Sequence, residues 1–374
     1  MIFTLALRNL FHDGIRFVGT LVGIGFAIIL VTVQLGLYLG FSRQITGMVD
    51  HADADLWVVR KGTTSFEQAA TLDGGERQLA LAVDGVASVT SLGVSFLEWK
   101  KPNGEATTVV IVGTPRTGGL APWNIVEGTA ADLATPDGVI VDQTYLEELG
   151  VKGVGDTAQI EGKTVRVAAL TKGIRAFTTT PYIFMTTDRA RALVGFGNTE
   201  ATYLLVRVAP GENVEAVKKR LAARLPDTEV VAQDHFSNRS RDYWLFSTGA
   251  GFALIAGAIL GLIVGTVIVA QTLYASTKDH IDEFATLRAI GATSRYIHKV
   301  ILCQALISAA VGFSIAALVG VGVVYLTADS VLPIVLTTPL LFALLGLTVA
   351  MCVISAMAAI AKVTRIDPAV VFAR

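Results

Sequence analysis

The stretch "FVGTLVGIGFAIILVTVQLGLYLGF", Phe17 to Phe41, contains no Asp, Glu, Lys or Arg. At about 1.5 Å per residue, a helix of roughly 25 residues measures roughly 38 Å, against a hydrocarbon core of about 30 Å. Such a run can cross a bilayer with tilt or overhang. Arg8 and Arg16 precede it as the n-region of a signal peptide would. The run is too long for an h-region of about 7 to 15 residues, however, and "SRQITGMVD" after it offers no small-x-small cleavage site, so it reads as a retained span.

Three more long hydrophobic runs lie further along the chain: 245–275, 297–326 (uncharged from Ile301) and 340–361. Composition agrees: 52% of the 374 residues are hydrophobic and 16% charged, and mean hydropathy is +0.59. An ordinary soluble domain of this length is more polar. A net charge of -1 leaves no basic excess for nucleic acid. Cys303 and Cys352 both fall inside apolar runs, where a thiol behaves as a small hydrophobe.

Orientation follows from Lys and Arg near the span ends. Segment 1–16 carries Arg8 and Arg16; Lys278, Arg288, Arg295 and Lys299 lie in and just after segment 276–296, ahead of the uncharged run from Ile301; and segment 362–374 carries Lys362, Arg365 and Arg374. All three are expected in the cytoplasm. The short connection 327–339 has Asp329 and neither Lys nor Arg, so it is expected outside. Four spans with both termini inside then place 42–244 outside, a domain of ordinary size.

Within 42–244 the pattern changes to short alternating strands and turns. "ADLWVV" reads as a strand, and "ERQLALAVDGVASV" as a short helix ending at Gly85 followed by a strand. Pro102-Asn103-Gly104 sits between two β-rich arms, a hairpin signature. "TAQIEGKTVRVAAL" suggests a second hairpin, and Leu146 to Leu149 one helical turn stopped by Gly150. "TYLLVRVAPGENVEAVKKRLAARLPDTEVVA" reads as strand, amphipathic helix and strand, with Val214, Val217, Leu221 and Leu225 on one face. We therefore expect an α+β domain with a mixed α/β part built from both ends of the insertion and a mainly β part at about 116–173.

Catalytic and metal signals are absent from the pattern. The five histidines have no second ligand at a metal spacing, "HADAD" at His51 to Asp55 reads as a solvated loop, and "IEGKT" at Ile160 lacks the first glycine of a phosphate loop. No catalytic, cofactor-binding or metal-binding residue is expected in this chain. Packing signals are clearer. Gly257, Gly261 and Gly265 recur at every fourth position of the second span, where small residues let helix backbones approach closely; glycine is also simply common in such helices. Gln34, Gln271 and Gln304 are read as interhelical hydrogen-bonding groups. Phe3, Leu7, Leu10 and Phe11 lie on one face of "MIFTLALRNLFHDGIR", as in a helix at the cytoplasmic interface.

The segment "KDHIDEFATLRAIGATSRYI" places Ile281, Phe284, Leu287 and Ile290 at helical spacing, with Gly291 as a stop. Two surfaces could cover that apolar face: the lipid headgroups or a groove in another protein.

The stretch "EFATLRAIGATSRYI" resembles the E-x-x-x-L-R-A-I-G-A signature of the FtsX/MacB superfamily of ABC transporter permeases, here type VII. "LALRNLFHDGIRFVGTLVGIGFA" is similar to that family's amphipathic start and first span, and "VTRIDPAVVFAR" to its ending. Position and strand pattern make 42–244 resemble a MacB-like periplasmic core. The resemblance is to stand-alone permeases similar to DevC-type subunits, and it implies a multi-pass protein of the bacterial inner membrane with a periplasmic domain. It also implies a coupling helix in which Phe284, Leu287 and Ile290 fill a groove of a separate ATPase, Glu283 and Arg288 contact its rim, and Gly291 ends the helix. ATP and Mg would then belong to the ATPase, with no cofactor in this chain. A second permease copy and a periplasmic adaptor would complete an exporter of a lipid, peptide or hydrophobic molecule, driven by mechanotransmission. The alternative is an FtsX-like signalling or scaffold permease that activates an extracytoplasmic partner such as a cell-wall hydrolase.

Overall fold

In a computed structural model of the chain, residues 2–12, 14–68, 70–115, 118–195, 197, 199–279 and 292–363 are described. The chain divides into two units: a bundle of Met1–Leu39, Phe252–Ala328 and Pro333–Arg374, and a head of Gly40–Gly251 with Asp329–Leu332.

The bundle is helical. Helix α1 (Ile2–His12) precedes α2 (Gly14–Asp50), which runs on from the bundle into the head's residues. The later helices are α8 (Ala250–Asp279), α9 (Ser294–Thr327) and α10 (Thr338–Val363). With α2, these are four helices long and apolar enough to cross a membrane. Their outward faces carry Phe26, Ile263, Leu318 and Phe342, as lipid-facing surfaces do. Helix α1 packs on α9. It buries Ala6, Asn9 and Leu10, while Phe3 and Phe11 are exposed. The apolar face expected from Phe3, Leu7, Leu10 and Phe11 is thus split: Leu10 is buried together with Ala6 and Asn9, and the rings of Phe3 and Phe11 are exposed. Helix α8 begins at Ala250 and not at 245, because Tyr243–Ser247 form a π-helical turn and Gly249 adopts φ +81. A side chain at that left-handed position would be strained.

The head is built on one sheet of ten strands. Strand β1 (Leu56–Arg60) lies between β9 (Tyr203–Val208) and β10 (Thr228–Ala232), antiparallel to both. The flanking strands therefore run parallel to each other, and α6 (Val214–Arg224) makes the crossover between them. Asn213 caps α6, its side chain accepting from the N–H groups of Glu215 and Ala216. Val217, Leu221 and Leu225 are buried; Val214 is exposed. Together with α3 (Glu76–Leu81) they cover Leu56, Val58, Leu204 and Val206. Alternation puts Trp57 and Val59 on the opposite face, in a core with Phe66, Tyr203 and Phe236.

Strand β2 (Val86–Lys100) is long enough to serve two neighbourhoods. Its first half pairs with β9, and its second half pairs with β3 (Ala106–Thr114) through the expected hairpin. From there the order runs to β8 (Tyr182–Thr186), β5 (Gly138–Asp142), β7 (Lys163–Thr171) and β4 (Ile125–Glu127). Strand β6 (Thr157–Ile160) pairs with both β7 and β2. The six strands β2, β3, β8, β5, β7 and β6 consequently close into a ring. Val109, Ile111, Val139, Val141, Val165, Val167, Ile183 and Met185 alternate into its interior with Trp99. The mainly β part is wider than 116–173: it takes in the hairpin and β8, because β2 continues unbroken from one part of the sheet into the other. Glu161 and Gly162, both at positive φ, form the tight turn between β6 and β7, so "IEGKT" is a hairpin corner. The helical turn α4 (Leu146–Leu149) ends at Gly150, φ +68.

Candidate functional site

The three glycines of α8 form a seam against α2. A Cβ at Gly257 would meet the Gln34 side chain, one at Gly261 the Leu30 side chain, and one at Gly265 would collide with the Ala27 Cβ while lying 3.1 Å from the Met351 sulfur. Gly312 of α9 approaches α2 in the same way, a Cβ there lying 2.6 Å from Ile24 Cγ2. Helix α2 is therefore gripped along its bundle portion by two helices that come close because they lack side chains at the contacts. The Ser355 hydroxyl of α10 donates to the Thr266 carbonyl of α8 at 2.9 Å, a bond between helices. Gln304 is buried, whereas Gln271 is exposed. Glu283, Phe284, Leu287, Arg288, Ile290 and Gly291 lie outside the described residues.

The head contains a group that the sequence pattern did not single out. Glu67 is 5% exposed. Tyr182 Oη donates to Glu67 Oε1 at 3.0 Å and Trp244 Nε1 donates to Oε2 at 3.0 Å. Burial pushes the Glu67 carboxyl above its ordinary range, against the opposing pull of these hydrogen bonds. Burial first, and the Glu67 charge second, hold the Tyr182 hydroxyl well above its usual value. Trp244 also packs on Phe177, ring centroids 4.4 Å apart, and Gln68 Nε2 donates to Tyr243 Oη at 2.8 Å. Glu67 thus fastens strand β8 and the loop before α3 to the turn that follows α7 (Gln233–Asp242) and leads to Gly249.

A second clasp involves the four residues Asp329–Leu332 between α9 and α10. Gln44 Nε2 donates to the Val331 carbonyl at 2.7 Å, Lys172 Nζ lies 2.9 Å from Asp329 Oδ1, and Val331 packs on the interior cluster of the strand ring. The Lys172 ammonium draws the Asp329 carboxyl below its ordinary value.

The "HADAD" residues are accounted for within the head. Asp53 and Asp55 both pair with Arg207, and the His51 ring stacks on Trp123 at 3.9 Å between centroids. Among the described residues no group of three His, Cys, Asp or Glu side chains converges as a metal site.

Residues 17–224 match the family model of the MacB-like periplasmic core domain, and residues 250–368 that of the FtsX-like permease C-terminal region. The chain is 27% identical to the uncharacterized ABC transporter permease Rv2563 of Mycobacterium tuberculosis, over 98% of each chain. It is equally similar to Rv0072 of the same organism, at 27% identity over 98% of each chain. Among solved structures, the extracellular domain of the noncanonic ABC-type transporter YknZ from Gram-positive bacteria aligns with a TM-score of 0.36 and 15% identity, covering 48% of this chain and 98% of that one. The periplasmic region of MacB from Actinobacillus actinomycetemcomitans aligns with a TM-score of 0.38 and 13% identity, covering 51% of this chain and 94% of that one.

Proposed function

We propose, since this chain belongs to the ABC transporter permeases that join a MacB-like periplasmic core domain to an FtsX-like permease C-terminal region, that it converts ATP hydrolysis in a separate ATPase subunit into movement of its head. In this reading the protein lies in the bacterial inner membrane with both termini in the cytoplasm and the head in the periplasm. It pairs with a second permease copy and works with a periplasmic adaptor to drive export of a lipid, peptide or hydrophobic molecule. ATP and Mg are held by the ATPase. The segment Glu283 to Gly291 is the docking element, its Phe284, Leu287 and Ile290 entering a groove of the ATPase and its Glu283 and Arg288 meeting the rim.

One observation carries the mechanical part of this reading. Helix α2 is a single helix of 37 residues with no internal break, and its residues belong to both units. The glycine seam holds it against α8, the helix that leads directly into the docking segment. A displacement of α8 pressed on α2 through side-chain-free contacts has little compliant material in which to dissipate, since packed interiors transmit strain. Leu287→Asp tests the reading: it buries a charge in the proposed groove. Co-purification with the cognate ATPase should be lost while membrane insertion of the permease is retained. Undiminished co-purification would overturn the docking assignment. Lys278→Cys in a cysteine-free background tests the orientation, with labelling expected from the cytoplasmic side alone.

A further inference from the structure

Away from the seam and the clasps, the head has an open polar cleft of about 530 Å³, within the range of about 300–1,000 Å³ typical of small-molecule sites. Its floor is the middle of β2, with Thr90 and Ser91, and the end of β3, with Thr114; its walls are α3, bearing Arg77, and helix α5 (Thr187–Val194), bearing Thr187 and Arg191. The walls are fixed. A Cβ at Gly113 would lie 2.5 Å from Ala190 Cβ, so the glycine lets α5 sit directly on β3. Gly74, at φ +97, leads into α3 and is packed against Thr199.

The polar groups of this cleft are only partly used by the protein. Arg191 Nε is buried with no hydrogen-bond partner, and so is Ser91 Oγ. Among the described residues the ion pair of Arg191 is with Asp188 at 3.9 Å, with 97% of the Asp188 side chain exposed, a geometry that neutralises little. Among the described residues no ion pair engages Arg77. Two guanidinium groups from separate elements thus share one cleft with several hydroxyls and, among the described lining residues, the solvated carboxylate of Asp188. A planar fork of N–H donors matches the oxygens of a carboxylate or phosphate, and hydroxyls supply the remaining donors.

We infer that this cleft binds a small oxyanion-bearing ligand, its carboxylate or phosphate group held between Arg77 and Arg191 and capped by the Ser91 hydroxyl. The site stands on the head alone and is independent of ATPase docking.

Calorimetric titration of the full-length protein in phosphatidylcholine nanodiscs, at constant ionic strength, tests the assignment with inorganic phosphate in one arm and succinate in the other. Saturable binding of one equivalent is expected; saturation by phosphate alone assigns a phosphoryl group, by succinate alone a carboxylate, and either supports the site. Arg77→Gln and Arg191→Gln should each weaken binding about tenfold or more, in line with loss of a charge-assisted contact. Arg220→Gln, on α6 outside the cleft, should leave it unchanged. Gln78→Glu keeps an exposed lining position similar in size but adds a negative charge. It should weaken binding severalfold with the thermal midpoint unmoved, and it decides the matter if Arg191→Gln fails to fold. Absence of saturation in both arms, or wild-type affinity in both Arg77→Gln and Gln78→Glu, would overturn the site.

Discussion

The bundle brings its helices together where side chains are missing, whereas the core of the head is built around its largest ones. Gly257, Gly261, Gly265 and Gly312 bring helices onto α2. In the head, Trp57 packs on Phe236, Tyr203 and Phe66, with ring centroids 5.2, 5.5 and 6.2 Å apart. The solvents explain the difference. In water each Å² of apolar surface removed is worth about 25 cal/mol, so large rings are an efficient core. In lipid that gain is absent between helices, and association rests on close van der Waals approach and polar contacts. One chain has been fitted to two solvents, and truncation and enlargement of side chains should weigh differently in its two parts.

The largest expected effect comes from truncation in the head. Trp57→Ala should cost about 3–5 kcal/mol, the usual price of a buried aromatic ring, and near-ultraviolet circular dichroism during denaturant titration would measure it. Enlargement in the bundle comes next. Gly265→Leu drives a side chain into Ala27 and Met351 and should cost about 1–3 kcal/mol. Its counterpart, Leu318→Ala on the outward face of α9, should change stability by less than about 0.5 kcal/mol. If truncation at Leu318 proved as damaging as at Trp57, the two-solvent account would fail.

The third effect concerns a buried carboxyl inside the head core. Glu67 has a raised pKa in the folded protein, so between its ordinary value of 4.5 and the raised one the native state holds more protons than the unfolded state. Stability should therefore fall as pH rises through that window and level off above it. Glu67→Gln should flatten the profile and shift neutral-pH stability by about 1 kcal/mol, as read from thermal midpoints across pH; an unchanged slope would assign the pH dependence to another group. The smallest effect is at Lys172, whose partner Asp329 is exposed. Lys172→Ala should be indistinguishable from wild type in thermal midpoint at physiological salt.

How much of this was legible beforehand depended on the distance over which each feature is determined. Spans, hairpins and the glycine repeat are local patterns, and residues such as Gly104, Gly150 and Gly265 announce them within a few positions. The closing of the strand ring is different: β6 must reach back to β2, pairing Ile160 with Trp99, and nothing in either segment's alternation specifies the other. Likewise Val214 continues the apolar stripe of α6 yet is exposed, because the helix starts there and overhangs the sheet. Glu67 was invisible for the same reason. It is bonded by Tyr182 and Trp244, 115 and 177 positions away, while its own neighbours, "TTSFEQ", are mostly polar and give no sign of burial. The cleft of Arg77 and Arg191 also joins elements distant in sequence. The docking residues Glu283 to Gly291 were legible as an amphipathic pattern, and their partner surface belongs to another chain.

The tip at Asp329–Leu332 bears on the order in which the molecule can be finished. During synthesis β10 is available to pair with β1 long before α9 has emerged from the ribosome, so the sheet can close early. Lys172 and Gln44 must nevertheless wait for two further helices to be threaded before Asp329 and the Val331 carbonyl reach them. A secreted fragment ending at Gly251 would therefore leave the site of Val331 on the strand ring uncovered, and such a fragment is an incomplete substitute for the head of the whole protein.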